Sequence, residues 1–146
     1  MPNGSTHDII TAVATPVVAW TTYHFTHDWK TTSIIVGLFL FSSLMFNGDL
    51  DIESRPYNRW WLFKFIWMPY QGIFHHRSIF THGLVIGTVV RILYLGIIPF
   101  TILLIKGSTG VVAHAFTNPM TLHMAILIFI GLELGAALHT IADYTL

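Results

Sequence analysis

Apolar positions fall into four runs, roughly residues 9–25, 32–46, 83–105 and 120–142, separated by shorter polar stretches. A helix needs about 20 residues to cross a hydrocarbon core, and the last two runs meet that length. The first two are shorter, which local bilayer thinning or burial against neighbouring helices accommodates. The first run also contains several threonines and Pro16, with Ser5 or Thr6 placed to cap it. The pattern predicts an all-α membrane protein: four transmembrane helices in an up-down bundle, forming one domain over residues 1–146. Between the second and third runs, residues 49–74 interleave Trp60, Trp61 and Trp67 with Arg55, Arg59 and Lys64. Aromatic and basic side chains mixed in this way suit the headgroup layer. A short interfacial helix is therefore expected there, opened by Pro56 and closed by Pro69. The competing reading is a loop folded over the end of the bundle.

Composition sharpens this class. Only 10% of the 146 residues are charged, against about 25% in soluble domains, a deficit that points to a membrane chain. The formal net charge is zero with histidine neutral, so the sequence carries no broad electrostatic footprint for nucleic acid. Cysteine is absent, which excludes a disulfide frame and any thiolate metal site. Residues 1–8 lack the basic stretch of a signal peptide, and the first apolar run is expected to be retained.

Alternating the crossings puts the start of the first helix, the end of the second, the start of the third and the end of the fourth on one membrane face. That face receives His7 and Asp8, Asp49 and Asp51, His75, His76 and His82, and His139 and Asp143. Hydropathy alone sets the crossings, so the gathering of these groups is an independent outcome. Metal sites in helical bundles are built from facing helices in this manner, and neutral imidazole is a common ligand for transition metals.

Each motif is weak by itself. Asp49-Leu50-Asp51 offers two carboxylates one residue apart, yet Asn47-Gly48-Asp49 is also ordinary turn chemistry. His139 and Asp143 are four apart, hence stacked on one helix face. His76 and His82 lie nearly two turns apart and can face the bundle together, whereas His75 points elsewhere. The Arg77 guanidinium can form forked bonds to a phosphate or carboxylate, or can serve as a positive-inside anchor. Arg91 and Glu133 fall inside spans and are expected to pair across helices. His24, His27, Asp28, His114 and His123 map to the opposite face as surface groups, a minor second ion site at His24, His27 and Asp28 being the weaker reading. Arg55, Arg59, Lys64 and Arg77 outnumber Lys30 and Lys106, which favours a cytoplasmic position for the polar face and for both termini.

Together, Thr6-His7, Gly48-Asp49-Leu50-Asp51, Ser54-Arg55-Pro56-Tyr57, His76-Arg77, Thr81-His82-Gly83 and His139-x3-Asp143 resemble the uncharacterised metal-binding membrane proteins found largely in cyanobacteria. These are similar in turn to membrane-bound metal-dependent hydrolases of the YdjM type. The likeness spans essentially the whole chain, with Ser78 and Gly83 departing from residues frequent in the broader group. It implies that His7, Asp49, Asp51, His76, His82, His139 and Asp143 belong to a metal site, in a bacterial inner or thylakoid-type membrane.

The expected function is a hydrolase acting on a phosphate ester at the membrane interface through one or two divalent ions, zinc first and manganese or iron next. Asp51 or Asp8 would serve as general base, and Arg77 would hold the phosphate. The expected partners are the lipid bilayer and a small phosphoester or lipid substrate, with homo-oligomerisation or membership of a membrane complex left open. The alternative is a non-catalytic subunit whose metal clamps helix ends together. Ion transport would need polar groups at mid-bilayer, where only Arg91 and Glu133 lie.

Overall fold

A computed structural model describes residues 4–107 and 109–145, and the described residues are helical with short connections. α1 (Gly4–Thr26) and α2 (Trp29–Met45) form a helical hairpin. Asp28 caps α2 by accepting from the N–H groups of Lys30 and Thr31 at 3.2 and 2.9 Å, so α2 starts before its apolar run does. Ser5 and Thr6, expected as caps, lie inside the first turn of α1.

The stretch from 48 to 82 is a chain of short helical pieces. A 3-10 turn (Gly48–Asp51), capped by Asn47, leads to α3 (Arg55–Arg59), capped by Ser54 with Pro56 in its first turn. A 3-10 segment (Trp61–Trp67) and α4 (Met68–Ile73) follow, and then α5 (Ile79–His82). The interfacial region is thus not one helix. Trp61, at a φ of 47°, interrupts it. Pro69 does not close it either, for it sits in the first turn of α4, where a missing N–H costs no hydrogen bond.

α6 (Ile86–Ile105) carries the third run, and α8 (Pro119–Thr145) the fourth. Between them α7 (Thr109–Thr117) is a helix that no sequence signal announced. Three segments are long and apolar enough to cross a membrane: Trp29–Asp51, Ile86–Ile105 and Pro119–Thr145. α1 has the length but is not among them, because threonines, Pro16 and His24 dilute its apolar content.

α2 and α8 form the tightest pair. A Cβ at Gly135 would run into the Phe39 carbonyl and Ser42, so glycine permits an approach that no other residue allows. Ser42 and Ser43 donate to the carbonyls of Leu132 and Gly135 at 2.5 and 3.1 Å. Small residues and hydroxyls of this kind tie apolar helices where water supplies no hydrophobic drive between them. Beneath the junction, an aromatic knot of Phe46, Tyr57, Trp67 and Tyr70 packs with Leu50 and Leu132. Trp67 sits edge-on to Phe46, Trp60 and Tyr70 at 5.2 to 5.8 Å between ring centres, a favoured geometry. This knot anchors the short pieces against α2 and α6.

Candidate metal centre

Four separate parts of the chain converge at one end. His7 comes from the first turns of α1, Asp49 and Asp51 from the 3-10 turn after α2, His82 from α5 and His139 with Asp143 from the last turns of α8. The 3-10 turn exists because Asn47 accepts from the Asp49 N–H at 3.2 Å and donates to the Ser43 carbonyl at 2.7 Å. Gly48 in that turn lies against the His82 ring, and a Cβ there would come within 2.7 Å of Cδ2.

Asp49, His82, His139 and Asp143 place one ligand atom each within 4.8 Å of one another. His82 Nε2 lies 3.4 Å from Asp49 Oδ1 and 3.9 Å from Asp143 Oδ2. His139 Nε2 lies 3.3 Å from Asp49 Oδ2 and 3.4 Å from Asp143 Oδ2. Both imidazoles are 3% exposed, and the Asp143 side chain is 5% exposed. Both nitrogens of His139 and Oδ2 of Asp143 are buried without a hydrogen-bond partner among the described residues. Buried polar atoms are normally satisfied. Two carboxylates and two ring nitrogens turned on one point, with His139 Nε2 and Asp143 Oδ2 unpartnered there, have the chemistry of a divalent-cation cage. The donor set suits zinc or another first-row ion, which accepts imidazole and carboxylate together.

His7 stands behind this group. Its Nε2 lies 3.1 Å from Asp143 Oδ1, and its ring overlies that of His139 at 4.1 Å between centres. A second cluster joins the first through His82. Asp51, whose side chain is fully buried, has Oδ1 at 2.8 Å from His76 Nδ1 and Oδ2 at 3.6 Å from His82 Nδ1. Its Oδ2 also accepts the Arg77 N–H at 3.3 Å. Asp51, His76 and His82 likewise bring ligand atoms within reach of one ion. All seven predicted ligands therefore meet at one end of the molecule, although by different routes.

Other expectations are redirected. Asp8 is committed to Arg55 and Arg59 at 3.1 and 2.7 Å, which occupies the carboxylate offered as a general base. Arg91 and Glu133 form no ion pair among the described residues. Each instead bonds a backbone group on one side of the break between α5 and α6. Arg91 donates to the Thr81 carbonyl at 2.7 Å, while Glu133 accepts from the Val85 N–H at 2.9 Å. The physical reason is the break between α5 and α6. The apolar run predicts a span from Gly83, but Val85 has a φ of 66° and α6 begins only at Ile86. Open backbone groups inside an apolar bundle need partners, and these two charged side chains supply them. They are the site-supporting residues that charge pairing alone did not reveal.

Arg77 is exposed, and its guanidinium makes no hydrogen bond or ion pair among the described residues. His75 is exposed as expected. At the opposite end, His24, His27 and Asp28 form no group with metal-ligand spacing among the described residues.

Comparison with known sequences agrees with the cation reading. Residues 2–146 match the model of a family described as "Uncharacterized metal-binding protein (DUF2227)". An uncharacterised protein of Aquifex aeolicus (strain VF5) is 38% identical over 58 residues, which cover 39% of this chain and 40% of that one. The matched stretch thus spans about two fifths of the relative's length. No solved structure matches.

Proposed function

The chain belongs to this family of uncharacterised metal-binding proteins, and from that premise we propose that it is a membrane-embedded, metal-dependent hydrolase acting on a phosphate ester at the bilayer surface. The observation that carries the reading is the convergence of Asp49, His82, His139 and Asp143 around buried atoms that lack partners. The cyanobacterial and YdjM-type likeness is carried neither by the family description nor by the Aquifex relative. The hydrolase reading therefore leans on the donor set and on Arg77.

A divalent ion at this cage supplies Lewis acidity and a water of lowered pKa. The chain's own contribution is positional. Asp49 has the most exposed of the four donor side chains, at 19% against 5% or less for the other three, so a substrate approaches from its side. The free Arg77 guanidinium, four positions from Thr81 in the segment leading into α5, offers a forked contact for a phosphate. Zinc is our first choice of ion, on the two-imidazole, two-carboxylate set.

In this reading α1 joins the three apolar segments as a fourth, shorter span, and the exposed Trp61, Leu62, Phe63 and Phe65 beside Lys64 enter the headgroup layer. The metal end faces the cytoplasm, in a bacterial membrane. A lipid-derived phosphoester is the substrate favoured by that depth, and a homo-oligomer or larger membrane complex is compatible with the uncovered face of α6.

Elemental analysis of detergent-purified protein tests the centre. About one equivalent of metal is expected in the wild type and loss of it in Asp49→Ala and His82→Ala. Turnover of phosphomonoester and phosphodiester panels, abolished by chelation and by both substitutions, tests the chemistry. Metal without turnover, together with a lower melting temperature after chelation, would favour the structural clamp instead. Because the chain has no cysteine, single Lys64→Cys and Lys30→Cys variants labelled from one side of the membrane test sidedness.

A further inference from the structure

The two clusters that share His82 differ in one physical respect. At His139 and Asp143, buried polar atoms lack partners, and Asp49 Oδ1 has only a long contact to His82 Nε2 at 3.4 Å. Around Asp51, the hydrogen-bonding capacity is met within the protein. Oδ1 is 2.8 Å from His76 Nδ1, and Oδ2 accepts from the Arg77 backbone. His82 Nδ1 lies 3.0 Å from the Thr81 hydroxyl, which itself donates to the Ser78 carbonyl at 3.2 Å. With its proton directed at Ser78, that hydroxyl accepts from His82. Nδ1 then carries the ring proton, and Nε2 presents its lone pair towards Asp49 and Asp143.

From this pattern we propose that Asp51 is not a ligand to a second ion. It is a positioning residue: the Thr81 hydroxyl accepts from Nδ1–H, and the Asp51 carboxylate, 3.6 Å from Nδ1, favours that tautomer by its charge. Nε2 is thereby aimed at a single ion, while His76 and the Arg77 N–H hold Asp51 in turn. The proposal rests on the metal centre assigned above. A carboxylate behind a ligating imidazole fixes its ring and raises its basicity. Three further features of the chain serve the same geometry. Arg77 is held at a φ of 62°, a left-handed conformation uncommon outside glycine, and this is the residue whose N–H meets Asp51. Gly48 leaves room for the Cδ2–Nε2 side of the His82 ring, where a Cβ would come within 2.7 to 2.8 Å. Arg91, buried to 1% exposure, pins the Thr81 carbonyl.

The experiment is a titration of the metal-free, full-length protein in detergent with zinc and with cobalt(II). The variants are Asp51→Asn, His76→Gln, Asp49→Ala and His82→Ala. One equivalent is expected in the wild type. Asp51→Asn and His76→Gln should still take one equivalent, bound about 10- to 100-fold more weakly, with a displaced cobalt d–d absorption. That spectral change reports ligand orientation, which a general loss of stability would not move. Two equivalents in the wild type, with one lost in Asp51→Asn or His76→Gln, would overturn the proposal by making Asp51 a ligand. Unchanged affinity and spectrum in both variants would overturn it as well. If Asp51→Asn does not fold, His76→Gln at the partly exposed edge decides alone. Retention of metal by Asp49→Ala and His82→Ala would instead defeat the centre itself, an outcome separate from failure of the brace.

Discussion

Both ends of the helical bundle carry imidazoles beside carboxylates, but among the described residues only one end gathers them at metal-ligand spacing. At the first, His7, His82 and His139 are all under 10% exposed, and the side chains of Asp51 and Asp143 are buried with them. At the other, His24, His27 and Asp28 are exposed. There His24 stacks on Trp20, and Asp28 spends both oxygens on the start of α2. Hydrogen bonds from the Thr31 hydroxyl and from the Thr31 and Lys30 amides hold the Asp28 carboxyl below its ordinary value. Residue type is therefore the same at both ends, and what differs is the supply of partners. Where water and helix-end amides are available, polar groups settle locally. Where packing excludes both, they turn on each other and invite a cation.

The change that should break this contrast most severely is Asp143→Ala. It removes a proposed ligand and leaves His7 without its carboxylate at 3.1 Å. Metal affinity should fall by more than about 100-fold, beyond the range typical of an outer support, as measured by competition with a chromogenic chelator. Gly48→Val comes next, because its side chain would occupy the space of the His82 ring. The expected cost is about 1–3 kcal/mol of stability from overpacking, accompanied by weaker metal binding in the same titration. Glu133→Gln should act more mildly. The amide can still accept from Val85, so stability in denaturant should change little, while Glu133→Ala lowers it by about 1–3 kcal/mol through the orphaned N–H. At the exposed end, His24→Ala with His27→Ala should leave metal content unchanged. A loss of metal there would show that the contrast between the ends is mistaken. Smallest is the pH response of Asp28. Its carboxyl is depressed in the fold, so the capping contribution is present above the ordinary carboxylate value and fades as pH falls through the lower folded value. Hydrogen exchange at the start of α2 should rise in acid, and should be raised already at neutral pH in Asp28→Ala.

Much of the cage was readable from the chain because hydropathy fixes how often the polymer reverses. His7, Asp49, His82, His139 and Asp143 sit at run boundaries, and alternation alone sends those boundaries to one level. The interfacial stretch was legible as composition but not as structure. Trp61 adopts a left-handed φ, a local conformation that neither aromatic content nor prolines reveal. α1 read as a span by length, yet its threonines and Pro16 leave it less apolar than the other three segments.

The roles of Asp8, Arg91 and Glu133 were beyond linear reading for a common reason. A charged side chain takes whichever partner lies within about 3 Å, and sequence spacing does not say which backbone groups have been left open. Asp8 found two guanidinium groups of α3, and Arg91 and Glu133 found backbone groups on either side of the break between α5 and α6.

The amino-acid order by itself determined a helical, membrane-compatible chain and the set of residues that could reach one end of it, since apolar run length and polar position are properties of the polymer. Only the tertiary structure decided which of those residues are left with unsatisfied buried atoms and which are already hydrogen-bonded, because that division depends on distances of a few tenths of an ångström. Packing sets those distances, and spacing along the chain does not.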